Sequence, residues 1–282
     1  MKLVNRRSFL GASAASALGL QGKSLKVIGV QLYTLRSILP QKPLEILKEL
    51  EQIGYREAEV IGGSLEAIWP SLTQTALKPV SVHLDTALFT TNQEKLPAAL
   101  DDAKKRGIEY AVCPYIAPKD RGGVDVIRRL AETLNKAGEK CNQSGMRLCY
   151  HNHAFEFEPV EGGTLLDVLM KTAEPKLVSL ELDIMWSTVA GVDPVSVLRK
   201  YKGRVALMHL KNVAPGIEKR YNESVPRTAF REVGDGVIDI PAVLKAATAT
   251  GVKHFFVEQD QTPGNPVESV RKSFEYLKKL EF

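Results

Sequence analysis

Apolar residues along this 282-residue chain gather in short runs bounded by turns, with helical periodicity between them. Eight runs stand out, at 26–31, 57–61, 78–83, 109–113, 147–151, 177–183, 204–209 and 254–258, and their length of five to seven residues reads as strands. The intervening segments PLEILKELEQI (43–53), KLPAALDDAKKR (95–106), VDVIRRLAETLNKAGEKCNQS (124–144) and IPAVLKAATAT (240–250) read as helices. Gly54, Gly107, Gly145 and Gly251 follow them, where a helix stop favours a residue that accepts positive φ. Repeated units of helix, Gly and strand predict parallel strands with right-handed crossovers, and eight such strands close most simply into a single (β/α)8 barrel.

The downstream ends of these runs carry the candidate chemistry. Asp183, His209, Glu258 and the pair His151 and His153 all stand there, and in such a barrel the C-terminal strand ends form the active site. Side chains alternate along a strand, so Asp183 places Glu181 and Ser179 on the lumen face, and His209 places Leu207 and Val205 there with Lys211 just beyond. Glu258 likewise goes with Phe256 and Asp260, Gln31 with Tyr33, Glu59 with Glu57, His83 with Ser81, and His151 with His153 and Cys149. A lone strand-end His is more often hydrogen-bonded structure than a ligand, but four of the five histidines occupy such positions. Acids in a barrel mouth are costly unless paired or bound to a cation. Carboxylate with imidazole suits a divalent metal ion, Mn2+ first, with Zn2+, Co2+ or Mg2+ as alternatives. Asp183, His209 and Glu258 are the expected ligands, with His151 as the favoured fourth. HNHAFEFE also offers His153, Glu156 and Glu158 for that place, and Glu181 is expected behind the ligands rather than among them.

The N-terminus changes the reading of charge and location. MKLVNRRSFLGASAASALGL pairs Arg6-Arg7 with a short small-residue run and resembles a twin-arginine export signal over residues 1–23, ahead of a barrel domain over 24–282. Its apolar stretch is too short to span a bilayer, so a periplasmic or exported protein with no stable membrane insertion is expected. Loss of Lys2, Arg6, Arg7 and Lys23, with no acid among them, takes the formal net charge from +5 to +1. That near-neutral remainder argues against nucleic acid as a partner, because neutralised phosphates supply most of such affinity. Cys113, Cys141 and Cys149 show no CxxC spacing and imply no disulfide framework.

From about residue 26 onward the sequence resembles the xylose isomerase-like barrels described as sugar phosphate isomerases and epimerases, a TIM-barrel family. The resemblance rests on GVQLYTLR (29–36), IGYREAEVIG (53–62), VSVHLD (80–85), YHNHAFEFE (150–158), LELDIMW (180–186), LMHLKN (207–212), EVGDGVIDI (232–240) and FFVEQD (255–260). It implies a metal held by Asp183, His209 and Glu258, plus an acid at the end of the fifth strand, where this chain has His151. It also implies proton transfer beside a metal-chelated sugar carbonyl, which epimerases perform with two opposed glutamates. This chain keeps Glu258 and opposes it with His, which can still act as acid or base.

A metal-dependent isomerase or epimerase acting on a small unphosphorylated sugar or keto-sugar is therefore the first expectation. A lyase or hydratase on a keto-sugar, keto-glycoside or inosose using the same site is the alternative. Glu258, His151, Lys211 and His153 are the expected catalytic groups, and Tyr33, Glu59, His83, Glu156 and Trp186 the expected substrate contacts, although Tyr33 and Trp186 equally fit rim packing. The loop 212–239, with Gly-Asp-Gly at 234–236, is long enough to serve as a lid, and it lacks the flanking strand and helix start of a phosphate cradle. Two other readings stay open. A non-catalytic sugar-binding barrel is one, and an endonuclease for abasic DNA is the other; the latter would need a His where Trp186 stands. A homodimer is compatible with all of these.

Overall fold

The computed structural model describes Lys23–Phe282. The segment expected to be a twin-arginine signal therefore lies outside the described residues, apart from Lys23. Eight parallel strands close into a barrel: β1 (Gly29–Gln31), β2 (Glu57–Ile61), β3 (Lys78–His83), β4 (Tyr110–Cys113), β5 (Arg147–His151), β6 (Val178–Asp183), β7 (Val205–Leu210) and β8 (His254–Val257). Each strand neighbours the next in sequence, and β8 pairs with β1 through Gly29 against Phe256 and Val30 against Val257. The principal helices follow the strands in turn: α1 (Pro43–Ile53), α2 (Gly62–Leu72), α3 (Leu96–Lys105), α4 (Val124–Gln143), α5 (Leu165–Thr172), α6 (Pro194–Lys200), α7 (Ile240–Thr250) and α8 (Pro266–Lys279). Lys23 and Phe282 exchange two backbone hydrogen bonds, of 3.0 and 2.8 Å, which close the barrel domain on itself.

Apolar periodicity decides which faces are buried. In α1, Ile46, Leu47, Leu50 and Ile53 face inward at spacings of one helical turn, and Gly54 at φ 126° turns the chain into β2. The main core is the shell between helices and barrel, while Val80, Tyr110, Val112, Cys149, Leu207 and Phe256 fill the lumen beneath the mouth. All three cysteines are free and buried. Among the described residues no helix is long and apolar enough to cross a membrane.

Simple alternation fails at two places. The register shifts between β2 and β3 at Val80, and between β6 and β7 at Ala206, so β3 and β7 each carry one extra residue. Val80 and Ala206 consequently join the lumen cluster, and Val205, expected in the lumen, packs in the outer shell instead. Three residues past each bulge stands a histidine, His83 on β3 and His209 on β7. The two imidazoles stack at 5.5 Å with an interplanar angle of 11°. Strands half a barrel apart thus present matching histidines to one point on the axis.

The segment after β7 crosses the mouth. Asn212–Val213 pairs antiparallel with Phe230–Arg231, and Asn212 Oδ1 accepts from the amides of Val213 and Ile238 at 2.9 Å each. Gly236 passes so close to this Asn that a Cβ there would lie 2.3 Å from Asn212 Oδ1 and 2.5 Å from the Val213 carbonyl oxygen. The Gly-Asp-Gly run therefore anchors the base of this loop by close backbone approach.

Candidate active site

At the C-terminal end of β6, Asp183 divides its carboxylate between two tasks. Oδ1 accepts from the amides of Met185 (2.9 Å) and Trp186 (3.1 Å), capping the short helix Ile184–Val189. Oδ2 stands 2.7 Å from Lys211 Nζ. The same ammonium lies 2.5 Å from Glu258 Oε2 and 2.7 Å from Asp260 Oδ2. Lys211 is 1% exposed, and burial opposes its charge, yet Asp183, Asp260 and Glu258 together raise its pKa well above the usual lysine value. Burial likewise works against ionised Glu258, but Lys211 and His209 outweigh it and hold this carboxylate below the usual range.

Beneath this cluster lies a second, imidazole-rich layer. His209 points Nδ1 at Glu258 Oε2 (2.7 Å) and Nε2 at Glu59 Oε1 (2.6 Å), so both ring nitrogens face carboxylates. His83 Nε2 is 2.9 Å from both Glu59 Oε1 and Glu181 Oε2, and His151 Nδ1 is 3.1 Å from Glu181 Oε2. Gln31 Nε2 donates to Glu59 Oε1 at 2.9 Å. Burial disfavours a charged His83, but Glu59 and Glu181 prevail and lift its pKa to about 9. Burial, reinforced by Glu59, pushes Glu181 up to about 7. His151 is held well below 6.5 by burial and then by His209, and His153 by burial and then by Lys211, so both rings are neutral near pH 7.

These residues fit a divalent cation. Asp183, His209 and Glu258 can bring one donor atom each within 4.8 Å of one another, and His83, His151, Glu181 and His209 form an overlapping set. Lys211 acts as a stand-in: its ammonium already fills the space between three carboxylates, which shows the charge that the site demands. His209 serves the outer set through Nδ1 while Glu59 holds Nε2, an arrangement that fixes ring orientation.

Above the ligand types opens a cavity of about 700 Å³, and the candidate residues divide by their place in it. Tyr33, His83, His151, His153, Trp186 and Glu258 line it. Asp183, His209 and Lys211 lie buried at its floor. Glu59 and Glu156, both read from sequence as substrate contacts, are buried away from the cavity lining. Glu59 sits on the barrel axis bonded to His83 and His209, and Glu156 accepts from Tyr150 Oη (2.7 Å) and the His153 amide (2.9 Å). His153 Nδ1 and Trp186 Nε1 are buried ring atoms without a hydrogen-bond partner. Sequence reasoning missed the clasp in which Arg121 donates to Glu223 Oε2 at 2.9 Å, because its two ends lie 102 residues apart with no local pattern to join them. Asp260 as third carboxylate on Lys211 was foreshadowed only by its spacing of two from Glu258.

Burial raises the Glu156 carboxyl from 4.5 to about 8. The folded protein therefore holds a proton there that the unfolded chain releases, so its contribution to stability is complete below about pH 4.5 and is lost as pH rises through about 8. Melting curves of wild type and Glu156→Gln should coincide near pH 4.5, and the variant should become the more stable by pH 8.5. Parallel curves across that window would show that Glu156 does not titrate so.

Comparison with known proteins places this geometry in context. Residues 70–280 match the family model described as xylose isomerase-like TIM barrel. An inosose dehydratase of Geobacillus thermodenitrificans is 32% identical over 159 residues, covering 53% of each chain, and one of Geobacillus kaustophilus is 26% identical over 274 residues, covering 84% of this chain and 86% of its own. The matched region thus spans about half the length of the first of these relatives. A crystal structure described as a sugar phosphate isomerase/epimerase, from Parabacteroides distasonis, superposes with a TM-score of 0.77 at 22% identity, covering 91% of this chain and 99% of that one, a likeness of fold. On the family match and the closed eight-stranded barrel, the chain belongs to the xylose isomerase-like TIM barrel family.

Proposed function

We propose that the protein catalyses a metal-dependent elimination on a keto-sugar, keto-glycoside or inosose, removing the proton beside the carbonyl and expelling a β-oxygen as water or an alcohol. The observation that carries this reading is the unlikeness of the cavity walls. On one side Glu258 is bound to Lys211 and His209, and on the other stand the neutral rings of His151 and His153. The remaining acids of the lining are committed elsewhere: Asp85 caps Thr86–Phe89 through the Ala87 amide, Glu223 pairs with Arg121, and Asp260 pairs with Lys211. Inversion at carbon needs a proton donor and a proton acceptor on opposite faces, both free to exchange, whereas elimination needs one base and one leaving group. Similarity to proteins named inosose dehydratases supports the same choice.

Asp183, His209 and Glu258 would hold the ion, with His151 Nε2 beside them at 3.8 Å from Asp183 Oδ2, and when bound the ion would polarise the carbonyl oxygen and acidify the adjacent C–H. His153, uncharged and lining the cavity, accepts that proton. The C–H electron pair becomes the new C=C bond as the bond to the β-oxygen breaks. The resulting imidazolium returns its proton to the departing oxygen, so the products are an unsaturated ketone and water or an alcohol, with His153 restored. Glu156 fixes the position of His153 through its backbone amide. Trp186, whose ring lies 5.5 Å from that of His153, forms the wall beside it.

NMR in D2O with 3-keto-glucosides and inosose tests the assignment. A vinylic signal together with released alcohol or water is expected, abolished by chelation and restored by Mn2+. Solvent deuterium entering an epimerised ketone, with no unsaturated product, would establish epimerisation instead.

A further inference from the structure

A second cavity, of about 690 Å³, lies beside the first and shares Phe230, Asp260 and Gln261 with it. Three guanidiniums line it: Arg36 from the segment after β1, and Arg227 and Arg231 from the loop after β7. Thr228 and Thr262 add hydroxyls. Asp260 is the acid of this lining, and its carboxylate is engaged by Lys211 at 2.7 Å. Among the described residues none of the three arginines forms an ion pair, although Arg106, Arg121, Arg128 and Arg271 all do.

Two of the three are nevertheless held in place, by carbonyl oxygens that leave their charge uncancelled. Arg36 Nη1 donates to the Tyr33 carbonyl at 2.9 Å and Nη2 to the Asp260 carbonyl at 2.6 Å, and its guanidinium lies 4.0 Å over the Tyr33 ring. Arg231 Nη1 donates to the carbonyls of Thr228 (2.6 Å) and Phe230 (2.9 Å). Like charges gathered in a concave site concentrate positive potential, and guanidinium forks match the oxygens of carboxylates and phosphates.

We propose that this cavity binds an anionic oxyacid group of the substrate, a carboxylate or a phosphate, while the carbonyl end of the same molecule occupies the adjoining cavity. The inference rests on the reading of the first cavity as a keto-sugar site. Phe230 lines both cavities, and Tyr33, whose ring lies under the Arg36 guanidinium, lines the first.

Calorimetry with the full-length, Mn2+-loaded protein tests this with glucose, glucuronate and glucose 6-phosphate as probes. At least one anionic sugar should bind about tenfold or more tightly than glucose, the scale of one charge-assisted hydrogen bond. The tighter of the two identifies carboxylate or phosphate, and inorganic phosphate should compete with it. Raised salt, or the double change Arg227→Gln with Arg231→Gln, should remove the preference and leave glucose binding unchanged. Equal affinities for neutral and anionic sugars, no binding of either anionic sugar, or a preference that survives in the double variant would each overturn the proposal. Elimination of a neutral 3-keto-glucoside that persists without any anion preference would remove this inference alone. Anion preference without elimination would count against the proposed reaction alone.

Discussion

On the proposed reading, Asp183→Asn should lose metal binding and lower kcat/KM by on the order of 10³-fold or more, because it neutralises a ligand to the ion that would polarise the carbonyl. The substitution separates charge from fold. Asn retains an oxygen in the place of Oδ1, so the cap on the amides of Met185 and Trp186 survives. Only the oxygen facing Lys211, at 2.7 Å, changes character. Metal analysis after dialysis should find the variant depleted, with circular dichroism like that of wild type. An Asp183→Asn protein that retains a full equivalent of metal would remove Asp183 from the ligand set, whatever its activity.

Lys211→Met should act in the opposite sense on metal and on stability. Without the ammonium, Asp183, Glu258 and Asp260 converge with no cation between them. Leaving buried charge uncompensated costs about 3–5 kcal/mol, which for a domain of this size lowers Tm by roughly 10 °C. That loss is expected in the chelated protein. A divalent ion can occupy the vacated centre, so Mn2+ should recover most of the lost Tm and should bind the variant more tightly than wild type, whose own lysine competes for the same carboxylates. Thermal melts with and without chelator, combined with a metal titration, decide it. If chelated variant and wild type melt together, the ammonium is not what balances the cluster. Activity should fall as well, since Lys211 keeps Glu258 ionised.

The fold was largely legible in the chain. Each of the eight apolar runs becomes a barrel strand with ends within three residues of expectation, and the helices 43–53 and 240–250 have the predicted bounds. These features are local, because period, chain-turning glycines and segment length all act within a few residues. Legibility failed at Val80 and Ala206, where an extra residue in one strand reverses the inward and outward order. A bulge is defined by the partner strand, and nothing in VSVH or VALMH announces it.

The same division runs through the site. Sequence by itself determined which residue types stand at the strand ends, since a strand delivers its last side chain to the barrel mouth whatever its neighbours are. It thereby supplied Asp183, His209, Glu258 and His151 as candidate ligands, and the His in place of a second carboxylate that weighs against matched proton transfer. Only the tertiary structure decided that Glu59 lies on the axis against His209, 150 residues away, rather than at the mouth. It also decided that Glu156 turns inward to Tyr150, that Lys211 fills the centre of three carboxylates, and that the arginines of the loop after β7 line a separate cavity beside the first. The reason is physical: charge balance in a buried site is a property of which groups converge, and convergence across a barrel is set by register, bulges and crossing loops rather than by any stretch of chain.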